Sequence, residues 1–125
     1  MTDPRRRLGA RGEELAARHL EARGFEIVER NFRTRYGELD IVARDARALV
    51  FCEVKTRVTG GRSGPASALE AIGPNKRRQV RALATQWLAT TTERPHRSDV
   101  RFDAIGVTLT AGGELLALEH LEGAF

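Results

Sequence analysis

At 125 residues, with 41% apolar and 30% charged side chains, the chain has the length of one compact domain that buries roughly two-thirds of its surface. Disorder over most of its length and a disulfide scaffold are both excluded, so one domain over residues 1–125 with one core is expected. The net charge is +4, and 19 of the 21 basic side chains are arginine, the exceptions being Lys55 and Lys76. A polyanionic partner accounts for that balance, and so does an arginine-rich genome. Cys52 sits alone in an apolar run and reads as a buried thiol of a reducing compartment. Arg5-Arg6-Arg7 leads into Arg11, Glu13 and Glu14 rather than an apolar segment, which argues against a secretory signal. No stretch approaches transmembrane length, so the expectation is a cytoplasmic protein without a membrane partner.

In chain order, Leu8, Leu15, Ala16 and Leu20 recur at helical spacing and Gly24 supplies a stop, which predicts a helix over Leu8–Arg23. Phe25–Phe32 and Glu38–Arg44 read as two strands around Tyr36-Gly37, and Leu49–Thr56 as a third beyond a short polar connection. These three form an antiparallel meander. Residues Thr59–Pro65, with three glycines, a proline and Arg62, read as a loop at the end of the third strand. Val80, Leu83, Ala84, Trp87 and Leu88 form an apolar stripe on a helix beginning near Pro74 or Asn75, with Trp87 in the core. Val100–Leu109 and Leu115–Leu121 read as two further strands around an Ala-Gly-Gly turn. The predicted class is α/β, in the order α-β-β-β-α-β-β.

Strand geometry gathers a candidate site. Glu38 and Asp40 share one face of the second strand, and Glu53 and Lys55 one face of the third. If Leu39, Ile41, Ala43 and Val50, Cys52, Val54 are the apolar faces of one core, the connecting loop has an even number of residues. A two-residue loop at Ala46-Arg47 sets Asp40 opposite Glu53 and Glu38 opposite Lys55; a four-residue loop slides the strands by one pair-step and keeps the four side chains together. Two carboxylates about 4 Å apart repel by roughly 4 kcal/mol at an effective dielectric near 20, and a hard divalent ion such as Mg²⁺ (or Mn²⁺) offsets that economically. Zinc is disfavoured, since Cys52, His19, His96 and His120 show no ligand spacing. A lysine beside a metal-bound water suits phosphodiester hydrolysis. The plainer reading is a solvated sheet face with a Glu38–Lys55 ion pair. On the first helix, Glu13 lies at the edge of the face carrying Ala16 and Leu20, and Gly9, Gly12 and Ala16 would let that helix approach the sheet. Glu13 then reaches the cluster as an outer ligand, or is a glutamate at the rim of an amphipathic helix.

The run Gly9-x-x-Gly12-Glu13-x-x-Ala16, then Gly37-Glu38-Leu39-Asp40-Ile41, then Phe51-Cys52-Glu53-Val54-Lys55-Thr56-Arg57, with Lys76, Arg101-Phe102-Asp103 and Ala124-Phe125, resembles the YraN family. These are small bacterial proteins similar to archaeal Holliday-junction resolvases within the PD-(D/E)XK nuclease superfamily. Leu39 stands where the superfamily has a proline, and Cys52 where a valine is usual; neither departure removes a charge. The resemblance implies a restriction-endonuclease-like core, with a mixed β-sheet flanked by helices. It implies Asp40 and Glu53 as metal ligands, Lys55 as catalytic lysine and Glu13 as an accessory acid. Nucleic acid, DNA first, would approach across Gly60-Gly61, with Arg57, Arg62, Lys76, Arg77, Arg78 and Arg81 as phosphate contacts, or as a solvated helix face. The superfamily also holds catalytically silent members, so the rival expectation is a nucleic-acid-binding or partner-binding module. A homodimer is left open.

Overall fold

The structure, a computed structural model, describes residues 3–59, 72–91 and 99–125. Helix α1 spans Pro4–Ala22, followed by strands β1 (Glu26–Thr34), β2 (Gly37–Arg44) and β3 (Ala48–Val58), helix α2 (Pro74–Thr90), and strands β4 (Asp99–Leu109) and β5 (Leu115–Leu121). The α-β-β-β-α-β-β order is the predicted one. Most of the loop expected over Thr59–Pro65, Arg62 included, lies outside the described residues. Helix α1 begins earlier than its apolar stripe, because Asp3 accepts the Arg5 N–H at 3.0 Å and Pro4 takes the first helical position. Among the described residues no helix is long and apolar enough to cross a membrane.

The five strands form one mixed sheet in the order β1-β2-β3-β4-β5. Neighbours are antiparallel except β3 and β4, which run parallel and are joined through α2. The β2–β3 connection is the two-residue turn Ala46-Arg47: the Asp45 N–H donates to the Ala48 carbonyl at 3.0 Å, while Asp45 Oδ1 accepts the Arg47 and Ala48 N–H groups at 2.8 Å each. That turn fixes the register Ile41↔Cys52 and Ala43↔Val50.

The expectation of one core is corrected, since the sheet is covered on both faces. Ile41, Ala43, Val50, Cys52, Val54, Ile105 and Val107 pack with Ala16, Ala17 and Leu20 of α1. Leu39, Val42, Leu49 and Phe51 pack with Val80, Leu83, Ala84 and Trp87 of α2. A central strand with helices on both sides is apolar on both sides, and the near-continuous run from Ala48 to Cys52 is its signature. Leu39 was expected beside Ile41 but belongs to the α2 side; side-chain alternation along β2 breaks at Asp40. Trp87 is core as predicted, edge-on to Phe51 and donating from Nε1 to Glu29 at 2.9 Å.

Candidate active site

The acidic residues gather where β2 and β3 part. Their ladder ends at Ile41↔Cys52, and Asp40 and Glu53 occupy the next position of that register. Beyond it the Val54 N–H is taken by the Asp40 side chain, Oδ2 accepting at 2.8 Å. A carboxylate thus replaces a backbone acceptor, and the two strands form a fork. Groups enter this fork from both faces of the sheet, Glu13 from α1 and Lys76 from α2.

Glu13 gets there because α1 lies very close to β3. Gly12 is buried, and a Cβ built on it would stand 1.9 Å from Thr56 Oγ1. Gly9, expected to share this role, has open space around its missing Cβ. One carboxylate oxygen from each of Glu13, Glu38 and Asp40 lies within 4.8 Å of the others. Asn31, at the β1 register position facing Asp40, adopts φ 56°, a left-handed conformation that asparagine tolerates better than most residues. With its amide oriented by the hydrogen bonds available, it donates to Glu38 Oε1 and, at 3.0 Å, to Glu13 Oε2.

The charge in the fork is only partly compensated. Glu53 is 3% exposed; its Oε1 lies 3.3 Å from Lys76 Nζ, and its Oε2 is buried without a hydrogen-bond partner among the described residues. Burial, then the charge of Asp40, pushes the Glu53 carboxyl up to about 7. Glu13 is also raised to about 7, by desolvation first and by Asp40 and Glu38 after it. Asp40 is raised by burial too, against the opposing effect of the Val54 N–H. Buried carboxylates held against their own repulsion, with an oxygen left over, suit a hard cation with oxygen preference.

The basic residues divide. Lys55 shares the strand face of Glu53 two positions away, and its charge stabilises the Glu53 carboxylate. The alternative Glu38–Lys55 ion pair is absent among the described residues; Glu38 pairs with Arg33 at 2.8 Å, and the face holding Glu53 is buried rather than solvated. Lys76, expected at phosphate, contacts Glu53. Arg77 donates to the Ile72 carbonyl at 2.9 Å and lies over the Phe125 ring, Arg81 lies over Phe102, and Arg78 bonds Asn75. Arg57 donates to Thr108 at 3.1 Å.

Sequence reasoning missed two features. Asn31 carries no pattern that marks it, and Lys76, expected at phosphate, was not read as the partner of Glu53. A second polar cluster, around fully buried Asp103, lies apart from the fork residues in the sequence and joins β4 to β5 and α1. Asp103 accepts from Arg101 Nε and Nη2 at 2.8 and 2.9 Å, from the Gly123 N–H at 3.0 Å, and faces His120 Nε2 at 2.8 Å. His120 Nδ1 in turn meets His19 Nε2 at 3.0 Å. His19 and His120, which looked scattered, are neighbours, because α1 covers the sheet face to which the β5 residue His120 turns; His96 lies outside the described residues.

Comparison with known proteins identifies relatives of the chain. A UPF0102 protein of Frankia casuarinae is 51% identical over 119 residues, covering 94% of this chain and 95% of its own. One from Geobacter metallireducens is 43% identical over 118 residues, covering 94% and 91% respectively. The model of the uncharacterised protein family UPF0102 matches residues 12–107, a span running from Gly12 through the fork to Val107 on β4. The chain belongs to the UPF0102 family, the one whose motifs it carries under the name YraN.

Proposed function

We propose that the fork is the active centre of a divalent-metal-dependent nuclease that hydrolyses phosphodiester bonds in DNA, branched DNA included. The observation that carries this reading is the convergence of Glu13, Glu38 and Asp40, with buried Glu53 on the neighbouring strand close enough for the charge of Asp40 to raise its carboxyl, and with one Glu53 oxygen lacking a hydrogen-bond partner among the described residues. The donors are hard oxygens, which fits Mg²⁺ or Mn²⁺, held by Asp40 and Glu53. Such an ion supplies Lewis-acid stabilisation of a phosphoryl oxygen and lowers the pKa of its water. Lys55, on the face of Glu53, provides a fixed positive charge for the negative charge that builds on phosphorus oxygens as the bond breaks. Glu13, poised near neutral pH, accepts or releases a proton at its carboxyl edge of the fork. Asn31 and Arg33 hold Glu38 in place.

The test is Mg²⁺-dependent nicking of supercoiled plasmid and of a four-way junction, with Asp40→Asn prepared in parallel. Cleavage by the wild type alone supports the reading. DNA binding without cleavage at any Mg²⁺ or Mn²⁺ concentration would instead favour a non-catalytic binding module on the same fold.

A further inference from the structure

We infer that His19 and His120 form a second metal site, selective for a divalent transition ion with imidazole affinity such as Zn²⁺, Ni²⁺ or Cu²⁺. The inference stands apart from the nuclease reading and uses none of its residues. Metal-binding imidazoles characteristically give their far N–H to a carboxylate, which fixes the tautomer and raises the basicity of the near nitrogen. His120 has this arrangement. Its Nε2 lies 2.8 Å from Oδ2 of Asp103, whose carboxyl is fully buried and also bound by Arg101 and the Gly123 N–H. Two hydrogen bonds from the Arg101 guanidinium and one from the Gly123 N–H hold Asp103 as a carboxylate. An ionised Asp103 keeps the proton on Nε2 and leaves a lone pair on Nδ1.

That lone pair is directed at another imidazole nitrogen, His19 Nε2, at 3.0 Å. A metal 2.0–2.1 Å from each nitrogen would set them about 2.9 Å apart in a square-planar cis pair and about 3.3 Å in a tetrahedral one. The observed spacing is close to that bite; with the lone pair on His120 Nδ1, His19 Nε2 is the hydrogen-bond donor, so metal binding requires His19 to carry its proton on Nδ1 instead. The rings stand at 76° to one another, with centroids 5.0 Å apart. His120 is nearly buried at 5% side-chain exposure, whereas His19 is half-buried on α1, which leaves an open side for water ligands. The surrounding charges balance: Arg23 and Arg101 are offset by Glu122, which contacts both, and by Asp103. Cys52 lies beside Asp103 on β3 as a buried thiol pushed well above its usual range, and adds no charge. Imidazole pairs favour Zn²⁺, Ni²⁺ and Cu²⁺ over Mg²⁺.

Untagged protein carrying Asp40→Asn, which disables the acidic fork, is titrated with Zn²⁺, Ni²⁺ and Cu²⁺ by calorimetry, and the Cu²⁺ complex is examined by electron paramagnetic resonance. Expected are one bound ion, two nitrogen ligands in the spectrum and a rise in Tm on Zn²⁺ addition. His19→Gln, a change at a half-buried helix position that preserves folding, should weaken binding about tenfold or more. His120→Gln should do the same, and His96→Gln should change nothing. Unchanged affinity in folded His19→Gln overturns the site, as does loss of binding in His96→Gln alone. Binding that appears only with Asp40 intact also overturns it, while leaving the fork reading in place.

Discussion

Asp40 Oδ2 accepts the backbone N–H of Val54 across the fork at 2.8 Å, so one side chain both closes the β2–β3 ladder and belongs to the acidic cluster. These two roles separate on substitution. Asp40→Asn keeps an oxygen for Val54 and removes a charge beside Glu13 and Glu38; its stability should stay within about 1 kcal/mol of wild type. Asp40→Ala leaves the N–H without its acceptor and should be less stable than Asp40→Asn by about 1–3 kcal/mol. Both should lose Mn²⁺ binding at the fork. Equal denaturation midpoints for the two variants would show that the Val54 contact contributes nothing.

The two lysines should fail in different ways. Lys55→Ala, at a residue without an ion pair among the described residues, is expected to reduce single-turnover cleavage by about 10²-fold or more with little change in Tm. Lys76→Ala removes the ion partner of buried Glu53. Breaking a buried pair costs about 3–5 kcal/mol, but Lys76 is one-third exposed and Glu53 can take up a proton, so about 1–3 kcal/mol is expected. Thermal unfolding and cleavage on the same preparations decide the matter; robust Mg²⁺-dependent cleavage by Lys55→Ala would refute its assigned role.

Gly12 and Gly9 offer a matched pair on one helix. Gly12→Ala drives a methyl into Thr56, and overpacking of this kind costs about 1–3 kcal/mol and displaces Glu13. Gly9→Ala meets nothing and should stabilise by about 0.5–1 kcal/mol through helix propensity. Adding Thr56→Ala to Gly12→Ala should recover part of the loss. Urea midpoints for the four proteins check this, and a neutral Gly12→Ala would mean that α1 does not depend on close approach there.

Much of this arrangement was legible in the sequence, and the exceptions have physical causes. Element order follows from periodicity, and the common face of Asp40 and Glu53 from loop parity, since only an even turn keeps Ile41 and Cys52 on one face; of the two loop lengths that parity allowed, the structure has the two-residue one. The parity argument assumed a single core. Its conclusion survived because Ile41, Ala43, Val50 and Cys52 do share a face, although Leu39 crosses to the other one. Lys76 as the partner of Glu53 could not be read, because it depends on how α2 docks over the sheet. The same holds for His19 and His120, which are 101 positions apart and meet only through tertiary packing.

Stability should depend on pH through the fork in an unusual direction. Glu13 and Glu53 are raised from an ordinary 4.5 to about 7, so between those values the folded chain holds more protons than the unfolded one. Stability from these two groups therefore falls as pH rises through that window and is lowest above it. His19, with a lowered pKa, opposes this just below pH 6.5, because the unfolded chain takes up the extra proton there. The comparison that isolates the fork is wild type against Glu13→Gln. The gain in Tm for Glu13→Gln should be larger at pH 8 than at pH 5, and Mn²⁺ should stabilise wild type at pH 8 but little at pH 5. A pH-independent difference between the two proteins would contradict the raised Glu13 carboxyl.

Because the fork is entered by Glu13 from one face of the sheet and by Lys76 from the other, a ligand seated there engages all three structural layers at once. By linkage, any opening that lifts α1 or α2 from the sheet weakens that ligand, and the ligand opposes such openings in equal measure. Saturating Mn²⁺ should accordingly slow amide hydrogen exchange in both helices, on opposite sides of the molecule, as well as in the strands that hold Asp40 and Glu53. The acidic fork is thus a fastener through the thickness of the domain.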